Sequence, residues 1–447
     1  MIVLIEEPGA RLRARSLAVA LATALGNCFA FAPGIAHAHV QTVINCNEAG
    51  SGSLREAVVV AASGDTIDLS TLACGTITLT SGAIVVTQSD LRIQGPGADV
   101  LTIDGYFNDR VFHHTGSGTL TLFDLTISDG KYVSPTTPRG GCIDSAGSVI
   151  IDATTVSNCV LVGQGDSVAR GGGIFTNGSL AVLASRITGS VVSGGGTPIS
   201  NSHGGAAVAD GFLSVKYSTV SDNHAITIDG HNSASGAFQA YASAQILGST
   251  ISGNSAVFFG ALCFEGNDAD TIEITNSTIS GNTANTVSGI YTQVPTVVSN
   301  STIAFNSATF GRGAFYSQTD PVEFESTIMS GNSKSGGLVA DDLDGTGATV
   351  VTGANNLIVA SAIAVPPDTI TSCAKLRPLD DNGGLTLTHA IAGDSPALDH
   401  GNNVADLDND QRGADRVFGI GADIGAVEWN SDEIFGFRSG FEPVCDG

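Results

Sequence analysis

The feature that most limits how this chain can fold is a repeat. Close variants of one stretch recur along its second half: "YSTVSDNHA", "GSTISGNSA", "NSTISGNTA", "NSTIAFNSA" and "ESTIMSGNS". Aligned on their Ile or Val, and continued upstream, they give Ile127, Val156, Ile187, Val220, Ile251, Ile279, Ile303 and Ile328, at intervals of 24 to 33 residues. A sustained period of that length belongs to a solenoid. A second column runs in phase with it: "RGGCI", "RGGGIF", "HGGAAV", "SGAF", "FGAL", "SGIY", "RGAF" and "GGLV", usually 14 or 15 residues before the Ile.

Apolar pairs precede the anchors by seven and five residues: Leu120 and Leu122, Val149 and Ile151, Leu180 and Val182, Leu213 and Val215, Ala244 and Ile246, Ile272 and Ile274. A spacing of two places each pair on one face of a short strand. Stacked about 4.8 Å apart, such strands align every column into an apolar ladder with parallel pairing. The expected fold is all-β, a single right-handed parallel β-helix (a pectin-lyase-like solenoid). Helical solenoids fit less well, because the coils alternate and carry Gly where a 3.6 period is required. Within "STISGN" the Ile points inward and Gly-Asn turns the corner. Asn223, Asn254, Asn282 and Asn306 share one offset and are expected to stack into an amide ladder. In "GSGSLREAVVVAASG", Ser53 and Glu56 form a capping box before an apolar stripe of Leu54, Ala57, Val58 and Ala61. A short N-terminal capping helix over the first coil follows, and it gives Arg55 and Glu56 a structural role.

Composition agrees and excludes some functions. Fifty-seven glycines, 14% charged residues and a mean hydropathy of +0.22 describe neither a disordered chain nor an ordinary helical protein. A formal net charge of −25 with no basic cluster repels phosphate backbones, so no nucleic-acid partner is expected. Arg11, Arg13 and Arg15 precede an apolar run ending in small residues, which reads as a signal peptide, residues 1–38, cut after Ala38. No later segment is long and apolar enough for a transmembrane helix, so the mature chain is expected to be secreted or held at a surface by other means. Export permits disulfides. Cys46 with Cys74 and Cys142 with Cys159 are the nearest pairs; Cys263, Cys373 and Cys445 also remain after Cys28 is removed, an odd total.

The ends of the chain resemble known modules. "GSLREAV", "GDTIDL" and "GTITLT" resemble the N-terminal CSLREA domain, with Gly52 where that domain has its first Cys. "LDDNGGLTLTHAIAGDSPALDHG", "DNDQRGADR" and "ADIGAVE" resemble the choice-of-anchor Q domain, and the repeats are similar to those of polymorphic outer-membrane proteins. The resemblance implies an exported or surface-attached bacterial β-helix protein, outer-membrane-associated or secreted, and says little about activity. It divides the chain into a CSLREA-like cap (39–105), β-helix repeats (106–375), a choice-of-anchor Q-like module (376–429) and a tail (430–447) whose aromatic residues and Cys445 suit an attachment device.

Chemistry is expected where the coils differ. After Ile127, Val156, Ile187 and Val220 the chain takes 14 to 18 residues to reach the next Gly signal, and after the later anchors about ten. The long loops should stack into a ridge on the N-terminal half, where binding residues concentrate on a rigid scaffold. Arg139, Arg170 and His203 stand just before successive Gly signals, with His224 and His231 on the next long loop. This basic column suits the carboxylates of an acidic glycan, which Arg binds in bidentate fashion; the plainer alternative is that each Arg bonds turn carbonyls and neighbouring Asp side chains. The constellations worth testing for catalysis are Arg170 with Asp166, and His203 with Asp229 and His231. No cofactor is required; Asp341, Asp342 and Asp344, and Asp406, Asp408 and Asp410, set alternate carboxylates before Gly as Ca²⁺ loops do, the second without the EF-hand Gly and distal Glu, and the plainer alternative for both is an exposed turn. The expected function is adhesion or contact with a polysaccharide or a host or cell-surface glycan, without catalysis. The alternatives are a polysaccharide lyase or glycoside hydrolase acting on acidic glycans, and a structural surface spacer.

Overall fold

The computed structural model describes residues 38–430 other than 166, 195–201, 228–232, 268 and 319–320. The expected signal segment up to residue 37, the tail from residue 431, and Cys28, Asp166, Asp229, His231 and Cys445 therefore lie outside the described residues.

The chain winds into a parallel β-solenoid whose three long sheets contain 12, 11 and 10 strands, each strand pairing with those one turn before and after it. The apolar pairs build the 12-stranded face: Leu120 and Leu122 pair with Val149 and Ile151, which pair in turn with Leu180 and Val182. The repeat anchors build the 11-stranded face, where Val156 sits between Ile127 and Ile187. The residues after each Gly signal build the 10-stranded face. All three faces point their apolar column into one continuous core. Burying one such Ile, Leu or Val is worth about 1.5–3 kcal/mol, and the core repeats that gain turn after turn.

One anchor departs from the expected register. Ile328 pairs with Thr302, and Met329 takes the inward place opposite Ile303. The cause is one extra residue, since four positions separate Ile328 from Asn332 where three separate Ile303 from Asn306. A shift of one turns a side chain to the other face. Ile328 nonetheless remains buried, because a second apolar cluster with Leu376, Ile391 and Ile424 covers it from outside.

The expected amide ladder is present and longer than anticipated. Asn223, Asn254, Asn282, Asn306 and Asn332 each donate from Nδ2 to the next rung at 2.8–3.0 Å, and the last acceptor is Asp342. Each Asn Nδ2 also bonds a carbonyl of an earlier turn, as Asn282 does to Ile251 at 3.0 Å. A hydroxyl ladder runs beside it, in which Ser185, Ser218, Ser249, Ser277 and Ser301 each accept the backbone N–H of the rung before. "STISGN" thus places a ladder residue on either side of its buried Ile.

The first turn is closed by the helix Leu54–Val60. Ser53 Oγ accepts from Glu56 N as in a capping box, while Glu56 Oε2 reaches one residue further back to accept from Gly52 N, and Ser53 N donates to the Gly50 carbonyl. Arg55 pairs with Glu48 at 2.6 Å and bonds the carbonyls of Gly82 and Ala83, so its role is to fasten the cap. Disulfides join Cys46 to Cys74 and Cys142 to Cys159; Cys373 is also disulfide-bonded, and Cys263 is free and buried.

After the last turn the chain folds back. The strands Leu376–Asp380 and Thr388–Ile391 form an antiparallel hairpin, and residues 376–429 lie against the downstream half of the 11-stranded face. Gln411 bridges Thr250 and Thr278 at 2.9 and 2.6 Å, His389 bonds Ser280 at 2.7 Å, and Ala426 N donates to Thr302 at 3.1 Å. Asn276 and Asn300, both at positive φ, donate to the carbonyls of Asn409 and Asn402. Buried ion pairs, Arg412 with Asp410 and Arg416 with Glu428, organise the interior of this segment; such pairs specify geometry more than they add stability.

Candidate functional site

The described parts of the long loops pair along the solenoid as a ridge. Lys131–Ser134, Val160–Gly163, Val191–Gly194 and His224–Thr227 pair into a four-stranded parallel sheet, and Ala169–Arg170, Ser202–His203 and Ser233–Ala234 into a three-stranded one. Between them lies a small separate core of Leu161, Ala169, Val192 and Ala225. The Cys142–Cys159 disulfide ties the base of the ridge to the 10-stranded face.

Parallel register brings the basic column together. Arg139 bridges to Arg170, and Arg170 pairs with His203, so the three side chains stand one turn apart along the edge of the 10-stranded face. His224 lies elsewhere, in the four-stranded sheet, with Nδ1 2.7 Å from Ser255 Oγ. The middle residue of each 10-stranded strand points outward, and here the sequence reading missed the partners of the column. Phe175 is the key one: the Arg139 guanidinium lies 4.5 Å and that of Arg170 5.3 Å from its ring. Arg170 also sits 4.9 Å from the Tyr241 ring and pairs with Asp210 at 3.0 Å. His203 Nδ1 and the Tyr241 hydroxyl share a hydrogen bond of 3.1 Å. Gln239 Nε2 donates to Glu265 Oε2 at 2.8 Å on the next turns. Reading the residue after each buried position in the Gly-signal column, Phe175 in "GIFT" or Gln239 in "AFQA", would have found this floor.

Burial sets the electrostatics. It lowers His203 to about 4, with the Arg170 charge adding to the effect, so the imidazole is neutral at pH 7. It raises Tyr241 and Glu265 above their ordinary values. Upstream, Arg110 stacks 3.5 Å over Tyr132 and bonds Asp144 at 2.9 Å. Downstream, the floor becomes aromatic, with Phe259, Tyr291 and Tyr316 in a row.

The two acidic segments are engaged in other work. Asp341 pairs with Lys334 at 2.6 Å, Asp342 ends the amide ladder, and Asp344 faces Arg312 at 3.4 Å. Asp410 is buried against Arg412, while Asp406 and Asp408 stay exposed. Among the described residues no group of three His, Cys, Asp or Glu side chains is placed to hold a metal ion. Asp166, Asp229 and His231 lie outside the described residues, and the constellations expected with them rest on Arg170 and His203 alone. Among the described residues no helix is long and apolar enough to cross a membrane. No protein-family model, no curated protein and no solved structure matches this chain.

Proposed function

We propose that the protein is an exported or surface-attached β-helix scaffold that contacts acidic glycans along the 10-stranded face without turning them over. The observation that carries this reading is Arg139 stacked on Phe175 beside Arg170. Among the described residues no carboxylate is seen within ion-pair distance of Arg139, whose charge acts on Asp144 from further off; its polar contact is Asn177 Oδ1 at 3.5 Å. Stacking holds the guanidinium plane and leaves its N–H edge for a ligand carboxylate. Location rests on the signal-like start and on the CSLREA-like and choice-of-anchor Q-like ends. Calcium, if a glycan complex recruits it, would be shared with ligand carboxylates.

A second reading, a polysaccharide lyase, is favoured by one observation: a neutral His203, a phenol and a cation stand together at His203, Tyr241 and Arg170, as proton removal beside a uronate requires. Incubating the chain with acidic and neutral polysaccharides, with and without Ca²⁺, while following retention, unsaturated-product absorbance and reducing ends, separates the two. We expect retention of the acidic polymers without turnover, and a loss of about tenfold or more in Arg139→Ala, the worth of one charge-assisted bond. Turnover abolished by His203→Ala would establish the lyase; retention of neither polymer would leave a structural spacer.

A further inference from the structure

The downstream half of the same face holds a cavity that the basic column does not reach. We infer that it is a binding site for an uncharged saccharide of one or two units. It has a volume of about 340 Å³, and its wall is formed by Phe259, Val287 and Arg312, which bridge one another on successive turns. Its floor is Tyr291 and Tyr316, neighbours in adjacent strands.

Three properties define the ligand. The first is shape and rigidity. Phe259 and Tyr291 stack with centroids 4.2 Å apart, Tyr291 and Tyr316 follow at 6.0 Å, and the Arg312 guanidinium covers Tyr316 at 3.9 Å. Phe258 is tilted 39° from Phe259 and stands outside this stack while lining the cavity. Aromatic surface held in advance by strand pairing is apolar area that need not be ordered on binding, and it suits the C–H faces of a pyranose. The second property is polarity. The Tyr291 hydroxyl bonds Gln318, and Gln293 Nε2 donates to that hydroxyl at 2.6 Å and to Gln318 Oε1 at 2.9 Å. An exposed planar amide and guanidinium beside aromatic rings offer the paired donors and acceptors that vicinal hydroxyls need. The third is charge. Arg312 faces Asp344 at 3.4 Å, so its cation is balanced, in contrast to Arg139. The cavity therefore selects for hydroxyls over carboxylates, and its volume, at the low end of the roughly 300–1,000 Å³ usual for ligand sites, limits the ligand to a short one.

This site extends the glycan-contact reading to residues independent of Arg139 and Arg170, and the two fail separately. The probes are cellobiose, maltose and N,N′-diacetylchitobiose, with digalacturonate as the acidic counterpart, titrated into the whole chain by calorimetry and saturation-transfer NMR. At least one neutral disaccharide is expected to bind. Gln318→Ala and Arg312→Ala, both exposed positions, should weaken it tenfold or more, and Arg139→Ala should leave it unchanged. Tyr291→Phe, which keeps the ring stack and removes only the hydroxyl, should weaken it as well. If no neutral disaccharide binds, or binding survives both Gln318→Ala and Tyr291→Phe, the site is overturned. Digalacturonate binding that depends on Arg139, without neutral binding, overturns this site alone; neutral binding without digalacturonate binding overturns the acidic reading alone.

Discussion

The upstream and downstream turns share one repeat and secure it differently. The ladder column runs through Gly130, Cys159 and Ser190 before its first Asn, each accepting a backbone N–H from the following strand in the same way. Upstream, the corner is fastened by the Cys142–Cys159 disulfide and by the ridge sheet built on the long loops. Downstream, five asparagines replace the disulfide, the loops shorten, and the 11-stranded face gains a cover. Thr155 and Thr219 are partly exposed on that face, whereas their register equivalents Thr250, Thr278 and Thr302 are buried under residues 376–429. The same Thr-Ile-Ser strand is a solvated surface in one half and a docking surface in the other. A repeat therefore specifies the inward side of a solenoid, and the outward side is free to be assigned turn by turn.

The largest test of this contrast is Asn282→Ala. It removes the shared acceptor of Asn254 N and Nδ2 and the donor to Ile251 O, all buried, so a loss of about 3–5 kcal/mol is expected in denaturant unfolding. Acidification is the next. Burial holds His389 at about 4 between Ser280 and the Arg377 carbonyl, below its ordinary value of 6.5. Its contribution is therefore complete above pH 6.5 and is lost as the pH falls towards 4, by about 3 kcal/mol at most. Asp342 acts in the opposite sense: burial raises it to about 6 from 3.8, so its contribution is complete below pH 3.8 and is lost as the pH rises through 6. Burial also raises Asp423, and Glu428 to about 8, so these carboxyls favour the folded segment on acidification. Hydrogen exchange should therefore show the loosening at pH 4.5 confined to the hairpin Leu376–Asp380 and Thr388–Ile391 that carries His389, while the upstream turns keep their protection, and His389→Gln should remove most of that difference. Thr278→Val, which deletes the bond to Gln411, should cost about 1 kcal/mol, and Thr155→Val close to nothing. A similarly small effect belongs to Ser190→Ala. Its buried hydroxyl has no hydrogen-bond partner among the described residues, so unfolding should shift by less than about 0.5 kcal/mol, although Ser190 shares a column with Asn282.

Most of the inward architecture was legible in the sequence because it repeats: the apolar pairs, the Gly column, the asparagine offset, the capping box and the two local disulfides. Ile328 was misplaced because an added residue moves the register by one, and its outward position is tolerated only under the cover supplied by Leu376, Ile391 and Ile424. That cover joins Thr278 to Gln411 across 133 positions, a pairing no local pattern carries. The site was half legible. Arg139, Arg170 and His203 stood out against an acidic background, while nothing local marked Phe175, Tyr241 or Tyr316, and it is strand register that sets Phe175 and Tyr316 at the outward middle positions. The acidic segment around Asp342 illustrates the converse: alternate carboxylates suggested a metal loop, and Asp341 and Asp342 pair with Lys334 and Asn332 of their own turn while Asp344 faces Arg312 of the turn before.

The ladder also gives the solenoid a direction. Every amide from Asn223 to Asn332 donates towards the C-terminal end, so the dipoles add head to tail and their positive pole meets Asp342, which can only accept once ionised. A carboxylate in that place is a chemical terminator. Further turns bearing Asn could be inserted between Asn223 and Asn332, where each new rung both receives and gives. No further Asn rung could follow Asp342, which receives from Asn332 and has no side-chain amide hydrogen to pass on, so the ladder stops at a single oxygen-for-nitrogen exchange while the strands Leu343–Gly345, Val351–Ala354 and Leu357–Ile358 carry the three faces on beyond it.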